Sequence, residues 1–237
     1  MSLSPDSARR RSPLYRELAA AGAQFSAWGD ATIAMHCAKD RTVDVTRLRR
    51  LGLVDLCVLP RIGFKGPATP EWLSLQGLVL PDAPNRAMSQ TDGGLVARLS
   101  REEHLLLAPV DGADAAVRRL MAAYEAARPA GVYDLPRQDS HAWLRIVGGA
   151  APAMLAKLCG VDLRPDAFAV HCVAQTQVAR LSAIIIRADC GAVPAYHLLF
   201  DSASAVYLWA CLLDAATEFD GGPAGFAAML EQDAPGG

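Results

Sequence analysis

The sequence predicts an α+β protein built from two similar units of antiparallel sheet, each with helices packed on one face. Three observations carry that prediction. Gly66-Pro67-Ala68, followed by Trp72-Leu73 and Gly77, returns as Gly149-Ala150-Ala151, followed by Met154-Leu155 and Gly160, with both glycine ends 83 residues apart. An apolar run with an embedded histidine also recurs, since His104-Leu105-Leu106-Leu107 reappears 93 residues later as His197-Leu198-Leu199-Phe200, and each copy leads into an alanine-rich helical pattern. Finally, 237 residues with 52% hydrophobic content and only 6% aromatics suffice to bury one compact core or two small lobes.

Taken in order, residues 1–11 are polar and basic and read as a disordered tail. Ser12-Pro13-Leu14 opens a short helix, with Ser12 as N-cap and Pro13 in the first helical position, and Gly22 ends it. Residues 32–37 read as a strand, 45–50 as a short helix, 53–59 as an apolar strand, and 61–65 as its continuation after Pro60. Gly66-Pro67 starts a helix over 69–76 that Gly77 closes. Residues 87–89 and 95–99 flank Thr91-Asp92-Gly93-Gly94, a hairpin signal, and 104–108 supply the next strand. A long helix follows over 111–127.

Arg128-Pro129-Ala130-Gly131 punctuates the chain, and the boundary between units is expected there. The first unit then spans residues 12–130 and the second 131–220, with 221–237 a C-terminal tail carrying a last helical turn over 226–230. In the second unit the expected strands are 141–147, 170–178, 181–187 and 196–201. Its helices are 151–159 and 204–218, the latter capped by Ser202.

A net charge of −2 and a pI near 6.2 exclude a large uniform positive field drawing the chain to nucleic acid or an anionic membrane. No apolar stretch reaches the roughly 18 to 20 residues that span a bilayer. No secretory signal stands at the start, so a cytoplasmic protein is expected. Six scattered cysteines, at positions 37, 57, 159, 172, 190 and 211, form no C-x-x-C pair and read as small buried thiols.

Chemistry-bearing residues are sparse. His104 and His197 stand in matched aliphatic strands without a carboxylate or cysteine at ligand spacing, which points to structural roles. His36-Cys37 and His171-Cys172 are adjacent pairs, and strand neighbours point to opposite faces, so neither pair assembles a catalytic dyad locally. Asp92-Gly93-Gly94 reads as a tight turn. Neither a G-x-G-x-x-G fingerprint nor a G-x-x-x-x-G-K-[ST] loop occurs. Arg47, Arg49 and Arg50 beside Lys39 and Arg41 lack the aromatic interleaving of an RNA site.

The chain resembles the aminomethyltransferase superfamily, the folate-binding fold of the glycine-cleavage T-protein, and within it the gamma subunits of heterotetrameric sarcosine oxidases. The resemblance runs through Ser12-Pro13-Leu14-Tyr15, Arg50-Leu51-Gly52-Leu53-Val54-Asp55, Phe64-Lys65-Gly66-Pro67-Ala68 with Trp72-Leu73, Leu155-Ala156-Lys157-Leu158-Cys159 and residues 202–219. It covers residues 12 to about 220. Two departures stand out. Where the T-protein follows a glycine pair with an acidic pair that supplies its catalytic aspartate, Gly93-Gly94 here runs into Leu95-Val96-Ala97-Arg98. Where it holds the pterin with a glycine-glutamate step, this chain has Gly191-Ala192.

The resemblance therefore implies a non-catalytic structural subunit, with no catalytic residue and no metal site of its own. Larger flavoprotein subunits would carry FAD, FMN, NAD and tetrahydrofolate, oxidise the N-methyl group of sarcosine to give glycine, and pass the one-carbon unit to tetrahydrofolate. A second reading is a stand-alone folate-binding protein or aminomethyltransferase-like enzyme with a rearranged, vestigial pocket lined by polar groups such as Asp92, Arg98 or Tyr196. A third, an iron-sulfur assembly factor of the same superfamily, lacks its K-G-C-Y-x-G-Q-E motif here.

Overall fold

The computed structural model describes residues 3–111 and 115–233. Its elements follow the expected alternation. Helix α1 (Tyr15–Ala20) begins where the Ser12 hydroxyl accepts the Leu14 N–H and ends at Gly22, whose φ of 88° only glycine adopts without strain. A hairpin of β1 (Gln24–Trp28) and β2 (Ala31–His36) precedes α2 (Arg41–Arg50), which Asp40 caps by accepting the Thr42 N–H. Next come β3 (Gly52–Asp55), β4 (Arg61–Lys65) and α3 (Thr69–Leu75). Three antiparallel strands follow, β5 (Arg86–Ser89), β6 (Leu95–Arg98) and β7 (Glu103–Leu107), and then α4 (Ala115–Ala127). Part of the long helix expected from 111 lies outside the described residues.

The order then repeats. After β8 (Tyr133–Leu135) and the short α5 (Arg137–Ser140) come β9 (His141–Val147) and α6 (Ala151–Leu155). The strands β10 (Val173–Val178), β11 (Leu181–Arg187) and β12 (Ala195–Asp201) lead to α7 (Ala205–Thr217). The two-residue β13 (Gly222–Pro223) and α8 (Phe226–Asp233) complete the chain, in a segment expected as a tail with one helical turn. Asp201, rather than Ser202, supplies the side-chain cap before α7, accepting the Ala203 N–H. Expectation and structure differ most at short elements. Strands β1 and β8 were not expected, and β3 stops at Asp55 because Leu56 to Leu59 turn the chain.

Two compact units result. The middle unit holds residues 59–140 and 171–175, and the terminal unit holds 1–58, 141–170 and 176–237. The expected division at residues 128–131 does not coincide with this one. Residues 3–11, expected as part of a disordered tail, contain a 3-10 turn at Pro5–Ser7, and Arg10 bridges Ala31 in parallel. The remaining two residues of that tail lie outside the described residues.

In the middle unit the sheet order is β5-β6-β7-β4-β8, and in the terminal unit β10-β11-β12-β9-β3-β13. Four strands of one sheet correspond to four of the other. The fifth is exchanged: β8, which precedes β9 in sequence, pairs with β4, while β3, which precedes β4, pairs with β9. Because of that exchange, the punctuation at residues 128–131 separates the two sequence repeats and not the two compact units.

The middle unit's core gathers Ile62 and Phe64 of β4, Val96 and Leu106, Trp72 and Leu73 of α3, and Val117 and Leu120 of α4. Phe64 lies edge-on to Trp72 with ring centroids 4.9 Å apart, and Tyr124 approaches Phe64 at 5.6 Å. Burial of each such ring contributes about 1.5–3 kcal/mol. In the terminal unit both faces of β9 and β12 are buried, with Trp143, Leu144, Ile146, Leu198, Leu199 and Phe200 all at 1% exposure or less.

Candidate functional site

The strand–glycine–helix joints locate the repeat more closely than the sequence block does. Gly66 follows β4 with φ 133° and Gly148 follows β9 with φ 131°, and the residues before α3 and α6, Ala68 and Ala150, share φ −89° with ψ −2° and −3°. The corresponding glycines are therefore 82 residues apart, and the sequence pairing of Gly66 with Gly149 is one residue out. Both joints are tight. A Cβ on Gly66 would overlap the Gly131 carbonyl oxygen, and one on Gly148 the Arg50 carbonyl oxygen. Gly131 O accepts the Ala68 N–H at 3.1 Å, and Arg50 O accepts the Ala150 N–H at 2.9 Å, so each joint satisfies the first turn of its helix with a passing backbone.

The same shift separates the two matched histidines. Phe64 faces His104 across β4 and β7, whereas the residue equivalent to Phe64 is Ile146, which faces Tyr196 across β9 and β12. His104 thus corresponds to Tyr196, and His197 to Leu105. A one-residue slip moves a strand residue to the other face, so the two histidines stand on opposite sides of their sheets.

His104 is completely buried on the helix-covered face, and neither ring nitrogen has a hydrogen-bond partner among the described residues. Burial, with the Arg98 guanidinium directly opposite, pushes its pKa down to about 4 despite the opposing pull of Glu103. His197 is held differently. The Trp143 indole N–H donates to its Nδ1 at 3.0 Å, and burial followed by the neighbouring Arg145 charge keeps its pKa well below the usual imidazole value. Both rings are neutral near pH 7, and neither shares a metal-ligating cluster: among the described residues no group of three His, Cys, Asp or Glu could hold an ion.

Of the three expected pocket residues, Asp92 and Arg98 fall in the middle unit and Tyr196 in the terminal unit. Asp92 sits at the β5–β6 turn, where its Oδ1 accepts the Gly94 N–H at 2.9 Å. Arg98 closes the other end of β6 by donating to the carbonyls of Pro81, Asp82, Ser100 and Arg101. Tyr196 is buried, and its hydroxyl donates to Leu163 O at 2.6 Å. Burial raises its pKa to about 12.

Sequence reading missed the partner of Arg98. Arg187 occupies the equivalent position, because Arg98 faces His104 and Arg187 faces Tyr196. It donates to Pro165 O and Phe168 O and forms a two-pronged pair with Asp189 at 2.9 and 2.6 Å. Each arginine stands in one repeat's penultimate strand and gathers the carbonyls of the loop after the first helix. An arginine recurring at the end of an apolar strand in both repeats was the available signal.

A folate pterin needs a carboxylate aimed into an apolar cavity of several hundred cubic ångströms. At the β11–β12 hairpin Gly191 and Ala192 present none, and the nearby Asp189 is committed to Arg187 and to the Ala195 N–H. The cavity beside the β5–β6 turn, lined by Asp92, Gln90, Leu95 and Pro109 among others, measures about 10 Å³, room for one water. Gly191-Ala192 and this water-sized space supply neither the carboxylate nor the room that a pterin needs.

Comparison with known proteins places this geometry. Residues 84–233, more than half of the chain, match the family described as the GCVT N-terminal domain. Among curated proteins the chain is 29% identical to a sarcosine oxidase subunit gamma from Corynebacterium sp. (strain P-1), over 147 residues that make up 62% of this chain and 68% of that protein. Among solved structures it superposes on a chain of the heterotetrameric sarcosine oxidase from Corynebacterium sp. U-96, in complex with pyrrole 2-carboxylate, with a TM-score of 0.66 at 22% identity, over 89% of this chain and 96% of that one. It superposes on the glycine cleavage system aminomethyltransferase T from Bartonella henselae with a TM-score of 0.74 at 18% identity, covering 94% of this chain but only 62% of the length of that one. With the duplicated strand–glycine–helix joints and antiparallel sheets already described, the chain belongs to the GCVT N-terminal domain family.

Proposed function

We propose that this chain is a non-catalytic structural subunit of a sarcosine-oxidase-like complex. Larger partner subunits carry FAD, FMN, NAD and tetrahydrofolate, oxidise the N-methyl group of sarcosine to give glycine, and transfer the one-carbon unit to tetrahydrofolate. This chain contributes shape and surface. The observation that carries the reading is the fate of its polar side chains at the two hairpin ends. Asp92, Arg98, Arg187, Asp189 and Tyr196 are each spent on backbone groups or on one another. Polar groups that hold the chain's own loops in this way are not preorganised for a reacting centre. The extent of the match supports the same reading, since 96% of the superposed chain from the heterotetrameric oxidase is covered, against 62% of the aminomethyltransferase.

Purification of the tagged chain from its native host tests this. The expected result is co-elution with a flavin-absorbing assembly that oxidises sarcosine. Recovery of a stable monomer free of flavoprotein, or heat release on titration of that monomer with tetrahydrofolate, overturns it.

A further inference from the structure

Strands β3 and β8 hold corresponding places in the two repeats, each just before a strand–glycine–helix joint, yet neither pairs with the strand that follows it. β3 lies antiparallel to β9 through Gly52–Val147 and Asp55–Leu144, and β8 lies antiparallel to β4 through Lys65–Tyr133 and Gly63–Leu135. The exchange extends past the strand ends. Leu56 N–H donates to Trp143 O at 2.9 Å, while Arg61 N–H donates to the Gln138 side chain at 3.0 Å and the Arg61 guanidinium to Gln138 O at 2.8 Å. Leu56 and Gln138 are 82 residues apart, as are Arg61 and Trp143, so one pair of positions meets twice with the halves reversed, though through different atoms. The tight joints obey the same rule, Gly131 closing on Gly66 and Arg50 on Gly148.

Cutting the chain after α4 would therefore leave the first half with an unfilled edge at β4 and the second with an unfilled edge at β9. An open edge recruits an extended segment through main-chain hydrogen bonds. Each half carries the segment that the other lacks. A symmetric dimer whose copies trade one strand has this pattern of contacts. We propose that the two halves of this chain are reciprocal binding partners, each recognising the other by strand addition, so that a chain severed between Ala127 and Pro129 persists as a two-piece assembly.

The full chain with a protease site inserted at that exposed position, where Arg128 already has φ 38°, tests this. After cleavage the two pieces should co-elute at the position of the intact protein in size-exclusion chromatography. Amide exchange at residues 52–55 and 133–135 should remain at least 100-fold slower than in an unstructured peptide. Separation or precipitation of the pieces under native conditions overturns the proposal. So does co-elution with free exchange at those two strands, because the halves would then be held by something other than traded strands.

Discussion

At the row where β7 faces β4, the middle unit buries His104 beside Phe64; at the same row of the terminal unit, β12 and β9 bury Tyr196 beside Ile146. The backbone plan is common, but the polar atoms meet different ends. A phenol carries its one hydroxyl far from the strand, where Leu163 O accepts it. An imidazole keeps its two nitrogens close to the strand, where neither is met. The arginines one strand away repeat the contrast, since among the described residues Arg98 donates to carbonyls while Arg187 also pairs with Asp189. Duplication thus preserved the joints, which depend on backbone geometry, and let the polar contents diverge into two sets of internal supports.

The glycine joints give the largest expected effect. Gly66→Ala and Gly148→Ala each add a Cβ against a backbone oxygen at a φ near 130°, and each should cost on the order of 4 kcal/mol or more in urea unfolding. Equal losses would confirm the 82-residue equivalence; a tolerated Gly148→Ala would break it. Arg187→Ala strands Asp189, whose side chain is 16% exposed, and should cost about 3 kcal/mol. Arg98→Ala leaves only carbonyls that water can reach and should cost about 1–2 kcal/mol. Comparable losses would remove the distinction drawn between the two clamps.

The histidine row sharpens the comparison through pH. With a folded pKa of about 4 against 6.5 unfolded, His104 binds fewer protons in the folded state. Its contribution is fully present above pH 6.5 and is lost as pH falls through 4, a change on the order of 3 kcal/mol. His104→Leu should leave stability at pH 7 unchanged or raised and should flatten part of the acid-side decline. His197, shifted in the same direction, contributes to the rest, as do Asp40 and Asp162, whose carboxyls are held below their ordinary values by Thr42 and by Arg164. Tyr196→Phe deletes one hydrogen bond and should cost about 1 kcal/mol without altering the acid slope. An unchanged slope in His104→Leu would show that this imidazole is not the source of the acid sensitivity.

Much of the secondary structure is legible in the chain because long apolar runs and glycine stops act locally. The expected strands over 141–147 and 181–187 coincide with β9 and β11, and Gly77 ends α3 with φ 83°. β8 was missed because three residues carry no periodicity, and Tyr133 and Asp134 are exposed. The hydrogen bonds of Asp92, Arg98 and Tyr196 were illegible for a similar reason: a residue's type states what it can bond, not which backbone group the folded chain brings to it. The recurrence of Arg98 and Arg187 at the ends of apolar strands marks them in the sequence, but the loops they gather were visible only in the fold.

Composition and local pattern by themselves determined that this is an α+β chain with an internal duplication and that its helices stop at particular glycines. Only the tertiary structure decided the register of the duplication, the correspondence of His104 with Tyr196, and the trade of β3 for β8. The reason is physical. Helix stops and turns depend on the energies of a few neighbouring residues, whereas strand partners and register depend on which distant edge leaves the fewest backbone groups and apolar faces unpaired once the whole sheet has formed.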